Sequence, residues 1–192
     1  MIKSNQAIYL ASKSPRRKKL LEQVNLSFQV VPVETPEIFR NKERPVDAVR
    51  RIALEKLEAA KEIIQDGIII TADTIVVVGG KIIGKPLDNK DAVRMLNQLS
   101  GKTHLVYTGY SVYNSKSGKT ITDYEKTYVT FRKLNAQEIK DYVKTGSPLD
   151  KAGAYGIQDD YGAVFIKKIN GCYYNVVGLP LTKVFQTLLR II

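Results

Sequence analysis

The stretch Ile68–Val78 is β-branched at every position except Ala72 and Asp73. Such side chains are stiff about χ1 and pack well on a pleated surface, so this stretch reads as a strand. Ahead of it, the apolar residues Val46, Val49, Ala53, Leu57, Ala60 and Ile64 are spaced by 3, 4, 4, 3 and 4 positions. That is the helical period, and it predicts a long helix from Pro45 that Gly67 ends. Lys56 falls one position off the stripe, at the margin of the buried face. A long helix running straight into such a strand must pack onto the sheet that the strand joins, which points to an α/β architecture.

The remaining chain supplies more of both elements. Residues 7–11 and 28–33 read as strands, and Pro15 opens a helix behind the N-cap Ser14, with Leu20, Leu21 and Val24 inward. Gly79-Gly80 is a tight turn into a strand at 81–84. Residues 89–99 form a helix on Ala92, Met95, Leu96 and Leu99. Alternating strands at 103–114 and 120–131 flank a Lys-Ser-Gly turn and pair as a hairpin. Asn135 with Glu138 is a capping box for a helix that stops at Gly146. A second hairpin is expected at 163–169 and 172–177, across Asn170-Gly171, before a final helix from Pro180. The expected fold is therefore α/β with a mixed twisted sheet, antiparallel hairpins and flanking helices.

The 192 residues suit one domain over 1–192, or two small lobes around a cleft. The longest apolar runs are far shorter than the roughly 20 residues needed to span a bilayer, so no membrane association is expected. Charges at Lys3 and Lys13 leave no secretory h-region, and a lone cysteine suits a reducing compartment, so the expected location is cytoplasmic. Lys plus Arg is 30 against 19 Asp plus Glu, a net charge of +11. Six of the basic residues and no acidic one lie in the first 20 positions. Such a field attracts polyanions, whether nucleic acid, anionic lipid or a small phosphorylated ligand.

Four segments have chemistry in them. Ser12-Lys13-Ser14-Pro15-Arg16-Arg17 joins a strand end to a helix N-terminus, where free N–H groups and the helix dipole favour an anion. Two arginines at that point oppose the dipole unless an anion compensates, which favours a phosphate site over a capped basic surface. Asp73 is a carboxylate inside an apolar strand, costly to bury unless paired or metal-bound, and reads as a metal ligand, a general base, or both. Gly79 with Gly84-Lys85 matches part of a phosphate-binding P-loop, but Pro86 replaces the hydroxyl residue that would hold Mg²⁺. Lys85 stays open as a phosphate or leaving-group contact. In Lys151-Ala-Gly-Ala-Tyr-Gly-Ile-Gln158, small residues let a backbone approach a ligand, and Gln158 offers both a donor and an acceptor to a base edge. His104 lacks spaced metal partners and Cys172 lies in a predicted strand, so both are read as structural.

In this order, Leu10-Ala-Ser-x-Ser-Pro-Arg-Arg17, Ala72-Asp-Thr74, Gly84-Lys-Pro86, Ser100-Gly-Lys-Thr-His104, Asp150–Gln158 and Gly178-Leu-Pro180 resemble the Maf family of nucleoside triphosphate pyrophosphatases. The resemblance implies a fold related to inosine triphosphate pyrophosphatases, a homodimer, and divalent-metal-dependent hydrolysis of a nucleoside triphosphate to the monophosphate and pyrophosphate. It implies Asp73 as proton acceptor, with Lys85 and Glu37 in the catalytic group, Glu34 being the alternative to Glu37. Ser12, Ser14, Arg16, Arg17 and Lys56 would line the phosphate path. Arg17, Thr74 and Gln158 would select the base, with Tyr155 also on the substrate side, in a combination similar to the branch acting on dTTP and UTP. Lys19 and Thr71 depart from the family pattern, in which Glu and Gly are usual.

The residues agree with that chemistry. Water attacking the α-phosphorus requires neutralisation of the triphosphate, which the basic helix start, Lys56, Lys85 and a metal would supply. Asp73 with Glu37 offers oxygen ligands that suit Mg²⁺ or Mn²⁺. The expected role is removal of dTTP, UTP or modified nucleotides. The rival reading is a basic nucleic-acid-binding or septum-regulating protein without turnover. The tyrosines, scattered along strands rather than beside the basic helix, argue against a stable nucleic-acid complex.

Overall fold

In the computed structural model, which describes residues 2, 4–158 and 161–192, the β-branched stretch forms β3 (Ile68–Val78) as expected. Lys3, counted above among the basic residues, lies outside the described residues. β1 (Ile8–Leu10) pairs in parallel with β3, setting Tyr9 opposite Ile69, and with β2 (Gln29–Val30). β2 covers only part of the stretch expected to be extended, since both its residues are exposed and a loop follows. β4 (Lys81–Ile83) folds back antiparallel on β3 through Gly79 and Gly80, both at positive φ. β5 (Thr103–Asn114) and β6 (Lys119–Phe131) are neighbours; Thr103 meets Thr130 and Ser111 meets Thr122, so their register runs antiparallel. β7 (Ile166–Asn170) adds antiparallel to β6 at the edge. The strand order is β2-β1-β3-β5-β6-β7, with β4 on β3, a mixed sheet of seven strands.

The helices are α1 (Pro15–Gln23), α2 (Pro45–Lys61), α3 (Asn89–Leu99), α4 (Ala136–Lys144), α5 (Tyr173–Val177) and α6 (Leu181–Ile191). None is long and apolar enough to cross a membrane. Ser14 caps α1 by accepting the Arg17 N–H, and Asn135 with Glu138 forms the full capping box on α4.

One expected hairpin is not there. Residues 161–165 form a 3-10 turn, β7 begins only at Ile166, and the residues after Gly171 form α5 rather than a strand. The composition Tyr-Tyr-Asn-Val-Val favours a strand, but Asn175 overrides it. Its fully buried amide donates to the Val106 carbonyl and the Thr127 hydroxyl, and that anchor requires the chain to wind inward. Cys172 is accordingly a half-buried free thiol at the turn, and its carbonyl accepts from Thr127.

The chain divides into two compact units, each discontinuous in sequence. Unit 1 comprises Met1–Asp73, Thr108–Glu125 and Gly178–Ile192; unit 2 comprises Thr74–Tyr107 and Lys126–Val177. In unit 1, Leu57 and Ala60 of α2 pack with Ala11 and Ile69, so α2 lies against β3; the helix ends at Lys61, short of the expected Gly67, and Ile64 joins this core from the segment that follows. In unit 2 the core includes Val76, Leu96, Val106, Phe131, Tyr142 and Phe165, which joins α3 and α4 to the strands.

Candidate active site

In unit 1, the segment after β1 turns at Ser12 and enters α1 at Pro15. The Ser12 hydroxyl accepts the Ser14 N–H at 3.2 Å and Arg17 Nη1 at 3.2 Å. Arg17 Nε donates to the Gly178 carbonyl at 2.7 Å, so the guanidinium is held at both ends of its fork. Burial pulls its pKa below the usual value, while the negative charges of Asp73 and Glu37 oppose that shift. The basic first turn contains no acidic residue. This is an electropositive helix start of the kind that binds phosphate.

The second group is built on α2 and β3. Lys56 lies on the buried stripe itself, flanked by Ala53, Leu57 and Ala60, and is 8% exposed. An ammonium survives there because two carboxylates meet it: Asp73 Oδ1 at 2.6 Å and Glu37 Oε1 at 2.7 Å. Of the two expected glutamates, Glu37 is the one that meets Lys56, while Glu34 pairs with Lys13. Asp73 is 3% exposed, and its Oδ2 has no hydrogen-bond partner among the described residues. Burial raises the Asp73 pKa above the usual carboxylate range; Lys56 opposes the shift and the charge of Glu37 adds to it. A carboxyl so placed can take a proton at a pH where an ordinary aspartate holds one weakly.

Two residues not expected in this role set the group's geometry. Thr71 donates its hydroxyl to the Ala53 carbonyl at 2.7 Å, pinning β3 to α2 two residues before Asp73. Its bulk therefore faces α2. On β5, Gly109 passes so close to α2 that an added Cβ would lie 2.2 Å from the Val49 carbonyl oxygen. Nothing in the local sequence around Gly109 marks a turn; the close approach becomes visible only when α2 and β5 are packed.

Arg16 lies in the first turn of α1 in unit 1, and Thr74, Lys85, Tyr155 and Gln158 belong to unit 2. Thr74, the residue after Asp73, is half-buried, Lys85 is exposed, and Gln158 is half-buried. Tyr155 is 6% exposed, and its hydroxyl is bonded to His104 Nε2 at 2.8 Å. His104 is buried against Phe131 and Tyr155, a structural placement as expected.

Mg²⁺ or Mn²⁺ is the cation expected at Asp73. Among the described residues no cluster of three or more His, Cys, Asp or Glu forms. Asp73, with its unpartnered buried oxygen, and Glu37 on the same ammonium make a pair of hard oxygen donors. A pair fits a cation that keeps waters and takes further oxygens from a phosphorylated ligand, the usual habit of Mg²⁺.

Residues 7–191 match the family described as Maf-like protein. The chain is also similar to curated proteins named dTTP/UTP pyrophosphatase. With that of Caldanaerobacter subterraneus subsp. tengcongensis it shares 47% identity over 184 residues, covering 95% of this chain and 88% of the relative. With that of Bacillus cytotoxicus it shares 48% over 179 residues, covering 93% and 92%. With that of Chlorobium phaeovibrioides it shares 45% over 188 residues, covering 96% of each.

Proposed function

The chain belongs to the Maf-like family, and from that premise we propose that it hydrolyses nucleoside triphosphates, dTTP and UTP foremost, to the monophosphate and pyrophosphate. The observation that carries this reading is Asp73, a buried carboxyl of raised pKa with one unpartnered oxygen, held on an ammonium that Glu37 shares. In the proposed reaction, Asp73 takes a proton from water at Oδ2. The water oxygen bonds to the α-phosphorus, the bond from that phosphorus to the bridging oxygen breaks, and pyrophosphate leaves with that oxygen. Lys56 fixes the carboxyl through Oδ1 and offsets the charge that develops beside it.

Arg16, Arg17, Ser12 and Ser14 are assigned to the phosphates, as the basic helix start supports. Lys85 is assigned to the phosphates or leaving group. Thr74, Arg17 and Gln158 are assigned to the base, whose edge the Gln158 amide can match with one donor and one acceptor. Mg²⁺ or Mn²⁺ held by Asp73 and Glu37 would neutralise phosphate charge and lower the pKa of water. The same reading includes modified pyrimidine nucleotides as substrates, a cytoplasmic location and a homodimer.

The test is pyrophosphate release from a panel of standard and modified nucleoside triphosphates with Mg²⁺ and with Mn²⁺. Release from dTTP and UTP, lost in Asp73→Asn while the far-ultraviolet circular dichroism is unchanged, is the expected result. Turnover by Asp73→Asn near that of the parent would overturn the assignment of the base. Absence of turnover across the whole panel would overturn the activity.

A further inference from the structure

We propose that His104 is a positioning residue for base selection, acting through Tyr155 to hold the 151–158 loop in the conformation that presents Gln158. The proposal rests on the reading above that Gln158 meets the base, and all of the groups in it belong to unit 2.

The loop is held in a conformation that its own sequence disfavours. Gly153 and Ala154 both have positive φ, at 72° and 61°. Alanine avoids that region because its Cβ crowds the backbone, so such a residue persists only where the surroundings over-determine it. The surroundings here are specific. On the upstream side the Gly153 N–H donates to the Gly84 carbonyl at 2.9 Å, the residue before Lys85. Gly153 also packs so tightly on Val76 of β3 that an added Cβ would lie 2.9 Å from Val76 Cγ2. On the downstream side the Gly156 N–H donates to the Tyr142 hydroxyl at 3.2 Å. Between these ties, and next to the strained alanine, stands Tyr155 with its hydroxyl on His104.

Counting protons fixes the direction of that bond. His104 Nδ1 is buried and has no partner among the described residues. If Nε2 donated, both the phenolic hydrogen and the Nδ1 lone pair would be left unmatched. With Tyr155 donating to Nε2, only the Nδ1 proton is unmatched, so this is the arrangement assigned. Burial among Phe131 and Tyr155 keeps the ring neutral and able to accept. Releasing Tyr155 would strand a second polar group in an apolar core, so the loop has one low-energy position at residue 155. Gln158 lies three residues further along the same loop, and a shift at 155 is carried to it.

The experiment compares Tyr155→Phe, Gln158→Ala and the double variant with the parent, measuring kcat and KM for dTTP and dCTP together with the thermal midpoint. Tyr155→Phe keeps the ring contacts and removes only the hydroxyl. The expected result is a fall in the dTTP-to-dCTP ratio of kcat/KM on the order of tenfold, carried by KM, because a displaced hydrogen-bonding group loses discrimination before it loses chemistry. Adding Gln158→Ala to Tyr155→Phe should then reduce the ratio no further than Gln158→Ala does alone. His104→Phe, which keeps an aromatic ring and removes the acceptor, should reproduce the same ratio and serves if Tyr155→Phe does not fold. A lowered thermal midpoint with an unchanged ratio, or strictly additive effects in the double variant, would overturn the proposal. If Gln158→Ala itself leaves the ratio unchanged, both this proposal and the assignment of Gln158 fall. No turnover by the parent would instead refute the activity on which both rest.

Discussion

Between pH 7.5 and 5, acid should destabilise this protein chiefly through a single imidazole. His104 is the only histidine in the chain, and burial pushes its pKa down to about 4 from a usual value of 6.5. Because the unfolded chain takes up that proton first, the contribution to stability is complete above pH 6.5. It is lost as pH falls from 6.5 towards 4, and below that both states are protonated. The full linkage is about 3 kcal/mol, of which about 2 kcal/mol is gone by pH 5. The control is the pair His104→Phe with Tyr155→Phe, which removes both polar partners together and leaves no stranded hydroxyl. Urea unfolding is followed by tyrosine fluorescence, available because the chain has 11 Tyr and no Trp. Between pH 7.5 and 5 the parent should lose about 2 kcal/mol more than the double variant. Parallel curves for the two proteins would refute the reasoning, since they would mean that His104 titrates alike in the folded and unfolded chains.

Two further substitutions probe the unit that contains Asp73. Lys56→Met leaves the Asp73 carboxylate buried without its counter-charge and should cost about 3–5 kcal/mol at pH 7.5 in urea unfolding. Since Asp73 already has a raised pKa in the folded protein, the loss should shrink as pH falls to 5.5 and the carboxyl is protonated. Gly109→Ala drives a methyl into the Val49 carbonyl, which is backbone and has no rotamer to escape through, so a loss of more than about 3 kcal/mol is expected. Soluble yield and circular dichroism check it, and a well-folded Gly109→Ala protein with unchanged melting would contradict the packing described.

Where local periodicity and packing demand agree, the sequence is readable. The α2 stripe as far as Ala60, β3, α3 and the α4 capping box appear where residue spacing puts them, although α2 ends at Lys61 rather than at Gly67; the Asp73 group is legible because a carboxylate in such a strand needs a partner. Spacing alone puts Lys56 at the margin of the helix face. Its burial depends on Glu37, a loop residue whose approach no spacing rule predicts. The segment 172–177 misled for the converse reason: its β-propensity is a local property, whereas Asn175 answers to acceptors on Val106 and Thr127, distant in sequence. Gly109 and Thr71 carry no local signal at all, because what each satisfies belongs to α2.

The order in which unit 1 acquires its parts has a consequence for synthesis on the ribosome. Its final segment is residues 178–192, translated after every residue of unit 2. That segment supplies the Gly178 carbonyl that holds Arg17, and α6 closes the unit through Thr187 on Tyr110 and the Ile191 carbonyl on Asn114. A nascent chain still lacking those residues has Asp73, Lys56 and Glu37 already made and Ser12 in place for Arg17, but not the Gly178 carbonyl or the contacts of α6. Arg17 thus gains its contact with Gly178 only long after Asp73, Lys56 and Glu37 have been made.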